Sequence, residues 1–112
     1  MLIIPSLAPQ IDAIENSVRK VETIVFTPAI KFSNALTVYQ DHIVTGPLTL
    51  TVDRTNAING GTAWVTLVAN GTNIPTFSGM TKLANSGDYV NTTNAFNFIR
   101  FMRINTTVYY TI

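Results

Sequence analysis

The one histidine of this 112-residue chain, His42, follows directly on Asp41. A histidine beside a carboxylate is the usual starting point for general-base chemistry. In an extended segment, however, neighbouring side chains point to opposite faces, so Asp41 cannot orient the ring of His42. A nucleophile–base–orienter set would need a distant partner that nothing in the sequence marks, and the chain reads as a non-enzyme with no catalytic residues. The carboxylates Asp41, Asp53 and Asp88 are scattered, and neither a calcium loop nor metal-ligand spacing occurs. Asn59-Gly60-Gly61 reads as a hairpin turn rather than a phosphate loop. No cofactor and no metal is expected.

Arg100 and Arg103 stand among Phe96, Phe98, Phe101 and Met102. Such a mixture could form a basic–aromatic platform for nucleic acid or an acidic sugar. Their spacing of three places them on opposite faces of a strand, which favours arginines that snorkel at a strand end or pair across a subunit interface. Trp64, Phe77, Tyr89, Tyr109 and Tyr110 could stack on sugars. Trp64 lies in the most apolar run and is expected in the core. Tyr39, Tyr89 and one of Tyr109 or Tyr110, of which Tyr109 is taken, are the candidate receptor contacts, because alternation must turn some of these rings outwards. Asn70-Gly71-Thr72, Asn91-Thr92-Thr93 and Asn105-Thr106-Thr107 match the glycosylation acceptor pattern. In a chain so rich in Asn and Thr, chance is the simpler source.

Composition narrows the class. Only 12% of residues are charged, about half the usual share of roughly a quarter, and Thr, Asn and Ser carry the polarity instead. This balance is associated with β-rich extracellular or virion-type surfaces. A net charge of +1 gives no electrostatic case for nucleic acid. There is no cysteine, which excludes disulfides and thiolate metal sites. No apolar run approaches the roughly 20 residues of a membrane span. The first ten residues, MLIIPSLAPQ, lack the charge and apolar length of a secretory signal.

The elements that would position any site divide at Val21. Ile4, Leu7, Ile11, Ile14, Val18 and Val21 alternate at spacings of three and four, which predicts a short coiled-coil helix with an a/d seam. β-Branched residues at a and d favour trimers and higher bundles over pairs. Gln10, Glu15, Ser17 and Glu22 flank the seam and keep it narrow. A lone amphipathic helix docked on its own β-domain would show nearly the same pattern. The helix is expected to end near Val21, with residues 1–22 forming an anchor and oligomerising segment and 23–112 a β-domain.

Beyond it, short strands alternate with turn signals. Thr23–Phe32 is strand-like but interrupted by Pro28, which cannot donate a ladder hydrogen bond. Ala35–Val44 is strand-like, and Leu48–Asp53 alternates cleanly with Leu48, Leu50 and Val52 on the buried side. Ala63–Ala69 is apolar on both faces and should be central. Asn70-Gly71 is a turn dipeptide. Ala95–Ile104 is a second apolar strand, and Val108–Ile112 closes the chain. Seven or eight short strands with turns every 8 to 12 residues predict an antiparallel β-sandwich or jelly roll behind the helix.

The run Gly61–Thr72 (GTAWVTLVANGT), then Ile74–Gly79 (IPTFSG), Tyr89, Asn97–Phe101 (NFIRF) and Val108–Tyr110 (VYY) resembles β-sandwich modules of bacteriophage virion appendages, of the tail-fibre and head-fibre type. The likeness covers about Leu48 to Ile112 and carries no catalytic motif. It implies a homotrimeric structural protein of a virion, assembled in the bacterial cytoplasm and involved in host attachment. Its partners would be itself, other virion proteins and a host surface glycan or protein. Ile4, Leu7, Ile11, Ile14, Val18 and Val21 would hold the trimer, and Met1 to Ala8 would anchor it into a larger particle. The polar loops Arg54–Gly61 and Ala84–Thr93 would be further contact surfaces. A capsid decoration or connector subunit with no receptor role, and a carbohydrate-binding module, are the alternatives. The chain departs from a long fibre in its shortness and its lack of shaft repeats.

Overall fold

Nine β-strands and no helix make up the described residues of the computed structural model, which are 21–33, 36–55 and 60–112. They are β1 (Val21–Thr23), β2 (Ala29–Ile30), β3 (Thr37–Ile43), β4 (Thr49–Val52), β5 (Thr62–Val68), β6 (Thr76–Phe77), β7 (Thr81–Lys82), β8 (Phe96–Ile104) and β9 (Thr107–Thr111). The chain alternates between two sheets. One has six strands in the order β1-β3-β5-β8-β9-β7, and the other has three in the order β2-β4-β6.

The pairing overturns the expected antiparallel sandwich or jelly roll. β1 runs parallel to β3 and β3 to β5, while β2 runs parallel to β4 and β4 to β6. Each successive pair of strands therefore lays one more coil on the last, an arrangement resembling a β-solenoid. Only β5–β8 and β8–β9 are antiparallel. β8 lies antiparallel beside β5 and ends the coil there, while β7 pairs parallel with β9 at the far edge. Strands joined by a two-residue hairpin would lie side by side. Up to β7 each turn instead carries the chain from one sheet to the other, and only β8–β9 closes as a two-residue hairpin, through Asn105-Thr106. The loop holding Gly60 and Gly61 connects β4 to β5 in different sheets, so it is a crossover and not a hairpin.

The predicted helix was to reach Val21 and its segment Glu22. Both belong to β1. Ile4, Leu7, Ile11, Ile14 and Val18 lie outside the described residues. Pro28 behaves as its chemistry requires. It separates β1 from β2, and its carbonyl accepts a hydrogen bond from the Thr51 amide at 2.9 Å.

The core lies between the two sheets, and period-2 alternation selects it. On the large sheet Val38 and Gln40 of β3, Ala63, Val65 and Leu67 of β5, Asn97, Ile99 and Phe101 of β8, and Val108 of β9 are buried. Register stacks them in rows across the strands, as in Val38–Ala63–Phe101–Tyr110 and Gln40–Val65–Ile99. Ile30 and Leu50 close the core from the small sheet. Phe77 of β6 stacks on Tyr110 of β9 with centroids 4.1 Å apart, and both tilt against Phe101 at 6.3–6.4 Å. This aromatic cluster ties the last coil of the small sheet to the large one.

Candidate functional site

The residues with chemistry to offer fall on two opposite sides of the large sheet. His42 follows the inward parity of β3 and stacks on Phe26, with centroids 4.1 Å apart and rings 10° from parallel. Asp41 points the other way and is exposed. The alternation that separated the pair in sequence separates them in space. Both border a shallow depression completed by Thr23, Ile24, Val25 and Phe26. Among the described residues no group of three or more His, Asp or Glu could hold a metal ion.

Arg103 and Arg100 also separate as their spacing requires. Arg103 follows the inward parity near the end of β8, and its Nε donates to the Asn105 carbonyl at 2.8 Å. Arg100 lies on the outer face, its guanidinium 5.7 Å from the Trp64 ring centroid, a cation–π distance. Its Nε is buried and has no hydrogen-bond partner among the described residues.

The expectation for Trp64 is corrected by this contact. Trp64 is 38% exposed and faces outwards. β5 has a core side of Ala63, Val65 and Leu67 and an outer side of Trp64, Thr66 and Val68, so both of its faces are apolar while only one is the core. On β8 the outward residues include Phe96 and Phe98, 66% and 61% exposed, and on β3 Ile43 is 65% exposed. Strand register brings these into neighbouring rows: Ile43–Val68–Phe96, Asp41–Thr66–Phe98 and Tyr39–Trp64–Arg100. The outer face of the six-stranded sheet is thus a broad apolar and aromatic surface. Parity within β8 could have flagged it, because Phe96 and Phe98 alternate with Asn97 and Ile99.

The three candidate contact tyrosines do not converge. Tyr39 lies on the outer face of β3, and its hydroxyl shares a hydrogen bond of 2.9 Å with Thr66 Oγ1. Tyr109 lies on the same face of β9, three strand positions away, about 14 Å at the usual strand spacing. Tyr89 belongs to the loop after β7 and packs against the core. Its hydroxyl is buried without a hydrogen-bond partner among the described residues, and burial pushes its pKa up.

That loop is pinned at several points. Ser86 Oγ accepts from the Ile112 amide at 2.8 Å, Lys82 pairs with Asp88, and Asn97 grips Val90. The pairing with Lys82 holds the Asp88 carboxyl below its ordinary value and the Lys82 ammonium above its own. Of the loop Arg54–Gly61, residues 56–59 lie outside the described residues. At Asn70-Gly71 the side-chain Oδ1 of Asn70 accepts from the amides of Thr72 and Asn73. Gly71 adopts φ +80°, and a Cβ there would clash with Thr93 Oγ1.

Compared with protein-family models, curated proteins and solved structures, the chain matches none. The functional reading therefore rests on the surface just described and on the sequence.

Proposed function

We propose that this chain is a structural, homotrimeric subunit of a bacteriophage virion appendage that takes part in host attachment. The observation that carries the reading is the exposed apolar face of the large sheet, beside a heptad spacing in the sequence ahead of it. Ile4, Leu7, Ile11, Ile14 and Val18 recur at heptad spacing up to Val21. The outer face of the sheet then presents Trp64, Phe96, Phe98 and Ile43. A surface of that kind belongs to contacts between macromolecules. The resemblance of Leu48–Ile112 to phage appendage modules supports the virion setting, and so does the low charge with abundant Thr and Asn.

In this reading the heptad-spaced residues join three copies, and Met1 to Ala8 anchor them to other virion proteins. Three weak receptor sites on one rigid body gain avidity without any new contact. Tyr39, Tyr89 and Tyr109 are the proposed receptor contacts for a host glycan or protein. Their separation suits one ring per contact patch better than a single aromatic cradle. A connector or decoration subunit would use the same surfaces against neighbouring virion proteins and bind no receptor.

The test is the solution mass of the purified chain by light scattering, beside a variant carrying Ile11→Asp and Ile14→Asp. The expected mass is about three times the 12.3 kDa chain, falling towards a single chain in the variant. A single-chain mass for the unaltered protein overturns the trimer.

A further inference from the structure

The large sheet has two faces, and only one of them has a partner among the described residues. Its outer rows contain Tyr39, Ile43, Trp64, Val68, Phe96 and Phe98. Their polar neighbours are largely satisfied at home: Thr66 is 4% exposed, and its hydroxyl is bonded to that of Tyr39. Among the described strand residues of this face only two carry charge, Asp41 on β3 and Arg100 on β8. The only salt bridge among the described residues joins Lys82 and Asp88, so neither Asp41 nor Arg100 has an ion-pair partner there.

The two charges have opposite signs and lie on either side of the same strand. In the order β1-β3-β5-β8-β9-β7, Asp41 is one strand to one side of β5 and Arg100 one strand to the other. We infer that this outer face is the contact surface between copies of the chain, with Asp41 of one copy meeting Arg100 of the next around a closed three-fold ring. The inference rests on the trimer proposed above and names its interface.

Two observations select a second copy as the occupant. The first is charge complementarity. In a head-to-tail ring the β3 half of one face meets the β8 half of the next, so every interface pairs one carboxylate with one guanidinium. Arg100, already stacked on Trp64, presents a fixed fork of donors to a carboxylate.

The second is continuity. The last heptad-spaced apolar residue, Val21, opens β1 at the edge of this sheet. It shares its strand parity with Thr23, whose register partner is Tyr39 on the outer face, and it is 52% exposed.

The test is a charge-reversal cycle read by light scattering across a dilution series, with Asp41→Arg, Arg100→Asp and the double variant. Asp41 is exposed and Arg100 half-buried, and circular dichroism of each variant verifies the sheet. Each single reversal opposes like charges and is expected to weaken association at least about ten-fold, with the double variant returning to within about three-fold of the original. Trp64, the one tryptophan, gives a second readout. Its emission is expected to be blue-shifted and shielded from quenchers in the oligomer and to shift red on dilution.

A stable oligomer that ignores both single reversals but dissociates with Ile11→Asp and Ile14→Asp overturns this interface and leaves the trimer standing. Single variants that dissociate without recovery in the double overturn the Asp41–Arg100 pairing. A single-chain mass for the unaltered protein overturns the trimer and the interface together.

Discussion

Asn97 holds the backbone of Val90 from both sides. Its Oδ1 accepts from the Val90 amide at 2.8 Å, and its Nδ2 donates to the Val90 carbonyl at 3.0 Å. A side-chain amide is the one group that can copy the donor–acceptor pattern of a neighbouring strand. Asn97 is 3% exposed at the end of the inward row His42–Leu67–Asn97, so it satisfies itself and fastens the loop in one contact. Asn97→Ala leaves both Val90 groups without their partner and is expected to cost about 2–3 kcal/mol in chemical denaturation. Asn97→Asp keeps the acceptor but loses the donor and buries a charge, so it should cost at least as much at neutral pH.

Tyr89 should make the fold sensitive to alkali. Burial raises the pKa of its hydroxyl above the ordinary value of 10.0, so the folded state binds a proton that the unfolded state releases. The contribution of the neutral hydroxyl is complete below pH 10 and is lost as pH rises from there through the folded pKa. Tyr89→Phe removes this dependence. It also removes a buried hydroxyl that lacks a partner among the described residues, so the variant is expected to be at least as stable near pH 7 and less sensitive to alkali above pH 10. Lys82, whose pKa is also raised, contributes equally to both proteins and cancels in the comparison. Thermal melts at pH 7, 9, 10 and 11 check the difference.

Phe77 should matter more than its two-residue strand suggests. Its stacking on Tyr110 and its contact with Phe101 bring an aromatic side chain of the small sheet onto the large one. Phe77→Ala is expected to cost about 2–4 kcal/mol, somewhat less than a fully buried ring because Phe77 is only partly buried. Phe77→Leu should recover more than half of that loss by refilling the volume without the stacked geometry. Urea titrations of the two variants beside the unaltered protein measure both effects.

Much of the strand layout was legible because burial writes itself into period-2 alternation. Leu50 is buried and Thr49 and Thr51 are exposed, as the LTLTVD run implied. β5 is central, and Arg100 and Arg103 part to opposite faces. Pairing was not legible. A turn dipeptide such as Asn70-Gly71 reverses or redirects the chain, and composition alone does not say which. The coils are also unequal: Thr23 pairs with Tyr39, 16 residues on, whereas Val38 pairs with Ala63, 25 residues on. Loops of different length leave no repeat for the eye to find, so a stack of coils reads as a string of hairpins. Trp64 was misplaced for a related reason. An apolar run with both parities hydrophobic implies two covered faces, and it does not distinguish a core from a surface that is covered from outside. The heptad pattern gave a helix that was to take in Val21 and Glu22, but strand pairing with β3 claims both.

The reversal at β8 makes the molecule extensible in one direction only. Parallel coils stack on β3 and β5 without reference to their length, but β8 occupies the free edge of β5 with the opposite polarity, and the parallel pair β7–β9 lies beyond it. A duplicated coil inserted ahead of β5 would meet the same neighbours that β3 and β5 already offer, and it would widen the outer face by one strand. One added after β8 would lie beyond this antiparallel strand and outside the stack of coils.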